Sequence, residues 1–314
     1  MSLPKSLPPI LPLASWKLIP KQRAHWIARP EYAESLVDKI GKDIIKDKVI
    51  IDCLPGVGLH TRAFLKYEPK KILCVEPRIP LYDEFVKLSE VEPRIVPLRW
   101  DPFSYKTTEK LLGPEYLGNL PIRSKEKVNE DLLLMATVYK SDPHRMYINY
   151  AINDIGESLD FQKFGRVRIC VICPADVTKK FMAPAKSRYR TSTSVITQAY
   201  SDVELIEDFP ENAMYPALHY QALMVTPKII HAKAVPQYVF QFVVRSLYNK
   251  KTAPLNKAVK SLSPGLDQHL SKLTWDVTLP VRDLEVEQIE EVAYYFNQDP
   301  FRDTYMRKEN LPKE

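Results

Sequence analysis

The stretch of sequence that decides the fold is Val49-Ile-Ile-Asp-Cys-Leu-Pro-Gly-Val-Gly-Leu-His-Thr61. An apolar run ends at an acidic residue, a turn with two glycines follows, and the next residues have the character of a helix. A strand, a glycine turn and a helix in this order are typical of the nucleotide-binding unit of open α/β sheets. The stretch therefore predicts a buried strand whose carboxyl end lies beside a nucleoside site.

Two more apolar runs end close to an acidic residue. Ile72–Val75 leads into Glu76, which follows Gly56 by 20 residues, and Arg94–Leu98 leads toward Asp101. An acid at this distance from the glycine turn accepts hydrogen bonds from ribose hydroxyls in nucleotide-binding folds. The competing interpretation is that the glycines only form a tight turn and the acids are ordinary strand ends. We expect five residues of the shared strand edge to line one cofactor site: Asp52, Gly56, Gly58, Glu76 and Asp101.

The remaining pattern predicts an α/β fold with a mostly parallel, Rossmann-type sheet and a small all-helical C-terminal domain. Strands are predicted at 146–152 and 167–174, followed by an antiparallel pair at 203–206 and 219–225, and residues 131–139 are predicted as a helix. From about residue 235 the apolar spacing becomes helical. The predicted domains are a basic, proline-rich arm (1–30), an α/β domain (31–233), a helical domain (234–300) and a polar tail (301–314).

The overall composition limits the classes of function. No apolar run approaches the roughly 18 to 20 residues that span a bilayer, so no membrane contact is predicted. The net charge of +6 favours a polyanionic partner. The four cysteines lie in or beside apolar runs, which predicts reduced, buried thiols. Cys170 and Cys173 would point to opposite faces of a strand, and no zinc-ligand or Ser/His/Asp spacing stands out, so no metal site is predicted.

Two basic segments are candidates for contact with nucleic acid. From Lys163 to Arg190 the sequence has eight Lys or Arg residues and one acid, and from Arg245 to Lys260 it has a second run without acids. Tyr189 lies between two arginines, where its ring suits a separated base. The plainer interpretation is that both runs are solvated helix faces. Seven residues are predicted to bind nucleic acid: Lys179, Lys180, Arg188, Tyr189, Arg190, Lys250 and Lys251.

Longer motifs carry a resemblance to a known family. Tyr189–Glu204 contains Gln-Ala-Tyr-Ser-Asp-Val, and Tyr215-Pro216 stands where the family has a Tyr-Pro-Pro-Pro loop. These motifs resemble the ribosomal RNA adenine dimethyltransferase superfamily, whereas Lys163–Val167 and Asp299–Phe301 are more similar to its branch of fungal mitochondrial transcription factor B proteins. The resemblance covers roughly residues 28–300, and it implies a class I methyltransferase-like domain followed by a small helical domain.

The resemblance also implies a cofactor and a catalytic motif. The cofactor is S-adenosylmethionine, and the motif is Asn-x-Pro-aromatic after the fourth strand. At the predicted position the sequence reads Asn153-Asp-Ile-Gly156, which lacks the proline and the aromatic residue. Asn153 is therefore a vestigial catalytic candidate and a cofactor-site candidate, and no other catalytic residue is predicted. Leu54 replaces the family's first glycine and narrows the pocket. No cofactor is expected to be required, and S-adenosylmethionine binding in an inherited pocket stays open.

The function expected from this resemblance is that of a mitochondrial transcription initiation factor. Such a factor would bind a single-subunit mitochondrial RNA polymerase and promoter DNA, including the melted non-template strand, and would assist promoter melting. It would act as a monomer in the mitochondrial matrix, and an additional nuclear role is left open. The alternative is an active, S-adenosylmethionine-dependent ribosomal RNA adenine dimethyltransferase. Efficient dimethylation is disfavoured, because the stacking residue and the amine-orienting residues of the motif are missing.

Overall fold

The computed structural model describes residues 7–16, 25–139, 151–152, 154–156, 158–229, 235–263 and 265–309. These residues fall into two compact units. The first contains the described residues up to Thr178 together with Ser201–Ile229, and the second contains Lys179–Tyr200 together with the described residues from 235 onward. One division point is close to the boundary predicted near residue 233, and the assignment of a separate earlier segment to the second unit is not predicted. Residues 179–200, which lie between two strands of the sheet, pack with the later helices and belong to the second unit.

The first unit is built on a seven-stranded sheet in the order β4-β3-β2-β5-β6-β9-β7. The five strands from β4 to β6 are parallel, and β9 runs antiparallel to both β6 and β7. Two short strands, β1 and β8, pair separately. The bounds are β1 Trp26–Ile27, β2 Val49–Cys53, β3 Lys71–Val75, β4 Ile95–Leu98, β5 Val128–Thr137, β6 Arg166–Pro174, β7 Ser201–Phe209, β8 Met214–Tyr215 and β9 Tyr220–Pro227.

Helices connect the parallel strands, as in other sheets of this kind. Pro30 begins α2, and four residues at helical spacing, Ala33, Leu36, Val37 and Ile40, bury one face of it in the core. The bounds are α1 Leu13–Trp16, α2 Pro30–Ile40, α3 Lys42–Ile45, α4 Leu59–Phe64, α5 Ile79–Ser89, α6 Tyr105–Leu111 and α7 Ala175–Phe181. Residues 151–152 and 154–156 are also helical, and 3-10 turns lie at Leu65–Tyr67, Asp160–Phe164 and Glu211–Ala213.

The second unit is helical, as predicted for its C-terminal part. Helix α9 packs against α11, and α8 contacts both. The rings of Phe242 and Phe296 stack with their centroids 5.2 Å apart. The bounds are α8 Ser192–Tyr200, α9 Gln237–Tyr248, α10 Leu255–Ala258, α11 Val286–Asn297 and α12 Arg302–Glu309, with 3-10 turns at Val259–Ser261, Leu266–Lys272 and Val281–Asp283. Part of the predicted polar tail is therefore helical.

One prediction about the sheet is wrong. The strand between β2 and β6 is β5, at Val128–Thr137, which overlaps the helix predicted at 131–139. Of the strand predicted at 146–152, residues 146–150 lie outside the described residues, and 151–152 are helical. The second half of β5 is buried on both faces. Such a strand is a continuous apolar run, which periodicity alone does not separate from a buried helix.

The described residues include the buried cysteine thiols that the sequence predicts. All four cysteines are buried thiols, and burial raises the pKa of Cys170 and Cys173. Among the helices described, none has both the length and the apolar character that crossing a bilayer requires.

Candidate functional site

The carboxyl ends of β2, β3 and β4 meet at one edge of the sheet. In the parallel register, β2 and β3 end together at Cys53 and Val75. The Glu76 amide donates to the Leu98 carbonyl at 2.9 Å, which continues the pairing with β4 beyond the strand end. Asp52 and Glu76 therefore lie at the same edge, and neither side chain is exposed to solvent.

The Asp52 carboxylate is fully used by the helix that follows it. His60 Nε2 lies 3.0 Å from one oxygen, and the Thr61 hydroxyl donates to the other at 2.7 Å. Both partners lie in the first turns of α4, and both are buried. Asp52 therefore fixes the connection between β2 and α4, and its oxygens do not face a ligand.

The glycine turn is explained by the protein's own packing. Gly56 and Gly58 have φ values of 64° and 76°, in the left-handed region that favours glycine. A Cβ atom at Gly56 would overlap the side chain of Trp26, and one at Gly58 would lie 2.9 Å from the ring of Phe85. A ligand cradle would leave open space at these positions. The tight-turn interpretation therefore accounts for both glycines.

The Glu76 carboxylate is held by Arg78, a residue that the sequence analysis does not single out. Arg78 Nε donates to Oε1 at 2.5 Å, Nη2 donates to Oε2 at 2.6 Å, and the Arg78 amide donates to Oε1 at 3.1 Å. The Glu76 side chain is 0% exposed and that of Arg78 is 15% exposed. Burial by itself lowers the pKa of Arg78, but the charge and hydrogen bonds of Glu76 outweigh it and raise that pKa.

Aromatic rings enclose the Glu76–Arg78 pair. The guanidinium lies 5.6 Å from the ring centroid of Trp26 and 5.9 Å from that of Tyr139. Tyr139 lies just after the end of β5 and is 4% exposed. The centroid of its ring lies 5.9 Å from that of His25. Burial is the main reason that the pKa of Tyr139 is raised. The pair therefore lies against two buried aromatic rings.

The position of the catalytic motif needs a correction. Because the fourth parallel strand ends at Thr137, the residues that follow it are Val138 and Tyr139. Asn153 does not follow that strand, and it lies outside the described residues. Because the predicted fourth strand (146–152) is not the strand that occupies this place in the sheet, the residue predicted to follow it is not at the strand end. The aromatic residue found here, Tyr139, is buried against Arg78 and His25 and is not presented to a base.

The residues of this edge, as placed, do not fit S-adenosylmethionine, the cofactor that the resemblance implies. Its ribose needs a carboxylate that it can reach, whereas Glu76 is fully buried and each of its oxygens already accepts a hydrogen bond from the Arg78 guanidinium. Asp101, which is predicted to line the same cofactor site, is exposed and accepts the Phe103 amide at 3.0 Å, so it closes its own turn before α6. A nucleoside can reach Glu76 only if Arg78 moves away.

Arg190 is the exception among the basic residues predicted to bind nucleic acid. It is 1% exposed. Its guanidinium donates four hydrogen bonds, all of 3.1 Å, to the Tyr248 hydroxyl, the Gln198 side chain and the carbonyls of Ala183 and Leu284. A buried guanidinium with these partners stabilises the fold of the second unit, and as placed it has almost no surface with which to contact a phosphate.

Arg188 and Tyr189 lie on an exposed loop of the second unit, here called the basic loop (residues 183–191). The guanidinium of Arg188 lies 4.7 Å from the centroid of the Tyr189 ring, and its Nη2 donates to the Tyr189 hydroxyl at 2.6 Å. Lys251 Nζ donates to the carbonyls of Arg188 and Arg190, at 3.3 and 3.1 Å. The residues that follow α9 are therefore in contact with the basic loop, although the two segments are more than 60 residues apart in the sequence.

The other predicted lysines of this unit also lie toward its surface. Lys250 is exposed beside Lys251, just after the end of α9. Lys179 and Lys180 lie in the last turn of α7, the first exposed and the second half-buried. Exposed cations of this kind can contact phosphates without desolvation of a buried charge.

A family model described as ribosomal RNA adenine dimethylase matches residues 21–298. The chain belongs to this family. Among its relatives, mitochondrial transcription factor 1 of Saccharomyces cerevisiae is 24% identical over 278 residues, which are 81% of each chain. The mitochondrial dimethyladenosine transferase 1 of Vermamoeba vermiformis is 21% identical over 299 residues, which are 84% of this chain and 87% of that protein. The predicted superfamily is therefore confirmed.

Two solved structures are similar to this adenine dimethylase family member in fold. A dimethyladenosine transferase from Plasmodium falciparum has a TM-score of 0.59 and 10% identity, and the match covers 87% of this chain and 98% of that one. The 23S rRNA methyltransferase ErmE has a TM-score of 0.58 and 13% identity, with 87% and 100% covered. The predicted class I methyltransferase-like fold is confirmed.

The sequence contains a pattern that predicts the contact between Arg78 and Glu76, although this pattern is not among the motifs considered above. The five residues Val-Glu-Pro-Arg-Ile occur twice, at 75–79 and at 91–95. In the second copy Arg94 Nε and Nη2 donate to the two oxygens of Glu92 at 2.7 and 2.6 Å, which repeats the geometry of the first. Proline keeps the preceding residue extended, and side chains two apart on an extended backbone share a side. We call each copy a Glu-Pro-Arg clamp.

Proposed function

We propose that the protein is a mitochondrial transcription initiation factor, which binds the mitochondrial RNA polymerase and promoter DNA and assists promoter melting. The observation that carries the proposal is the first Glu-Pro-Arg clamp. Arg78 occupies both oxygens of the acid to which a nucleoside cofactor would bind, while the methyltransferase-like fold around it is intact. A family member whose cofactor edge is closed by its own side chain is better suited to binding than to methyl transfer.

The relatives support this proposal. Three of them, from two Saccharomyces species and Lachancea kluyveri, are named mitochondrial transcription factor 1, and each match covers about four fifths of both chains. We infer from these names a mitochondrial location. We further propose that the protein acts in the matrix, as a monomer, with a single-subunit RNA polymerase.

The proposed mechanism uses binding energy and no covalent chemistry. Four cations of the second unit contact the phosphates of the melted non-template strand: the exposed Lys179, Arg188 and Lys250, and the half-buried Lys180. Tyr189 stacks on an unpaired base. Because these contacts favour the separated strand over the duplex, they offset part of the free energy of promoter melting.

Run-off transcription tests the proposal. The mitochondrial RNA polymerase of the same organism is assayed on a duplex promoter and on the same promoter with a premelted start region, with and without this protein. We expect the protein to be needed on the duplex and largely dispensable on the premelted template. Equal initiation on duplex DNA without the protein would contradict the proposal.

A second function is favoured by the family itself, which is described as ribosomal RNA adenine dimethylase, and by the Vermamoeba relative. In that case the protein would bind S-adenosylmethionine and dimethylate adenines of ribosomal RNA. Isothermal titration of S-adenosylmethionine into the protein, followed by mass spectrometry of nucleosides from small-subunit RNA incubated with both, separates the two functions. The closed clamp predicts no binding heat and no dimethyladenosine.

A further inference from the structure

Lys251 differs from the other lysines predicted to bind nucleic acid. Its ammonium has three N–H donors, and two of them are used on the carbonyls of Arg188 and Arg190, 3.3 and 3.1 Å away. The residue is half-buried, whereas Lys250 beside it is exposed. A lysine that points to backbone carbonyls is not directed toward a phosphate, so the two neighbours have different surroundings although they read alike in the sequence.

The main chain of Lys251 is tied to the same loop through Arg282. The Lys251 carbonyl accepts the Arg282 amide at 2.9 Å, and the Arg282 carbonyl accepts the Lys186 amide at 3.1 Å. From the other side, the buried Arg190 side chain donates to the carbonyl of Ala183 at the start of the loop. The basic loop is therefore held at both ends and in the middle. Among the contacts named here, those of Lys251 are the ones made by a lysine ammonium group.

The contacts of Lys251 lie on either side of Tyr189. The carbonyls that it holds belong to the residues before and after the tyrosine, so the bonds fix the backbone from which the ring projects. Tyr189 is 39% exposed, and Arg188 covers one face of its ring at 4.7 Å. An unpaired base can stack on the opposite face, whereas a base within a duplex already has neighbours on both of its faces.

We propose that Lys251 is a positioning residue, which holds the Arg188–Tyr189 pair in the geometry that receives an unpaired base, while Lys250 contacts phosphate directly. The inference rests on the proposed function, because it assumes that the second unit binds single-stranded nucleic acid. According to this proposal, Lys251 affects binding indirectly by holding the basic loop, whereas Lys250 contacts the nucleic acid itself.

Two fluorescent oligonucleotides separate these roles. One is a short oligothymidylate, and the other has the same number of phosphates with abasic residues in place of the bases. The affinity of the full chain for each is measured by fluorescence anisotropy over a range of salt concentrations. Wild-type protein is expected to prefer the oligothymidylate, since base stacking on an aromatic ring is worth about 1–3 kcal/mol per base.

The two lysine variants should fail in different ways. Lys250→Met should weaken binding of both oligonucleotides equally and lower the slope of log affinity against log salt by about 0.7, the loss of one phosphate contact on a single strand. Lys251→Met should reduce the preference for bases by about fivefold or more and leave the salt slope close to that of wild type. Tyr189→Ala should reduce the preference to a similar extent.

The variant Lys251→Arg tests whether the effect of Lys251→Met comes only from a loss of folding. Lys251→Arg keeps donors that reach the two carbonyls, so it should restore the preference for bases, whereas Lys250→Arg should resemble wild type in both readouts. If Lys251→Met lowers the salt slope as Lys250→Met does and keeps the preference for bases, or if Lys251→Arg fails to restore it, the positioning role is wrong. If wild-type protein binds neither oligonucleotide, the proposed function fails instead, so the two failures are distinguishable.

Discussion

The two Glu-Pro-Arg clamps are the same five residues in two environments. The first, at 75–79, connects β3 to α5 at the predicted cofactor edge, and the second, at 91–95, leads into β4. The arginine-to-carboxylate bonds have nearly the same lengths in both. In the first clamp the side chains of Arg78 and Glu76 are 15% and 0% exposed, and in the second those of Arg94 and Glu92 are 34% and 16% exposed.

The two copies show that the geometry of the clamp depends on the local sequence, whereas its contribution to stability depends on its surroundings. Because the same clamp forms away from the predicted cofactor residues, its geometry comes from the sequence Glu-Pro-Arg and needs no ligand. Burial then decides its energetic importance. A desolvated ion pair leaves an unpaired buried charge when one partner is removed, whereas a half-exposed pair leaves a charge that water can solvate.

The largest predicted effect is that of removing the buried arginine. Arg78→Met leaves the Glu76 carboxylate desolvated without a partner, which should lower the free energy of unfolding by about 3–5 kcal/mol. The matched variant, Arg94→Met, should lower it by about 1 kcal/mol or less. Urea denaturation followed by circular dichroism measures both. Equal losses would mean that burial does not distinguish the two clamps.

Removing the charge of Glu76 together with Arg78 should recover part of that loss. In Glu76→Gln/Arg78→Met no charge remains buried, so the double variant should be more stable than Arg78→Met alone by about 1–3 kcal/mol. The same urea titration gives the coupling from the four proteins of the cycle. If the double variant is no more stable than the single one, the cost comes from lost packing around Trp26 and Tyr139 and not from the unpaired carboxylate.

A smaller effect concerns the ribose acceptor that the first clamp closes. Arg78→Ser removes both guanidinium donors from Glu76 and leaves only the main-chain amide of residue 78 bonded to Oε1, so adenosine should bind to the variant and not to wild type. At adenosine concentrations between one and ten times the dissociation constant, the variant gains about 0.4–1.4 kcal/mol of stability. Thermal unfolding with and without adenosine measures this gain, and Glu76→Gln/Arg78→Ser is the control that should show none. A gain in wild type would show that Arg78 does not close the edge.

The sequence predicts where the polar residues lie better than what they contact. The strand ends at Asp52 and Glu76 follow from apolar runs and the glycine turn, since a run of buried residues has few alternatives. Their partners are set by rotamers and burial, which the pattern does not contain. Arg188 and Arg190 illustrate the limit, because residues two apart in one basic run end up exposed and buried. The sequence pattern does not identify β5 as a strand, because polar and apolar residues do not alternate in a strand that is buried on both faces.

The smallest predicted effect is the pH dependence of the second, partly exposed clamp. Hydrogen bonds from Arg94 are the main reason that the pKa of Glu92 is lowered from its ordinary 4.5. A carboxyl whose pKa is depressed in the folded state contributes stability above its unfolded pKa, and that contribution is lost as pH falls through the folded value. The difference in stability between wild type and Arg94→Gln should therefore be full at neutral pH and shrink below about pH 4.5. Urea midpoints at a series of pH values measure the difference. If it stays constant into the acid range, the two variants differ by packing of the Arg94 stem and not by the ion pair.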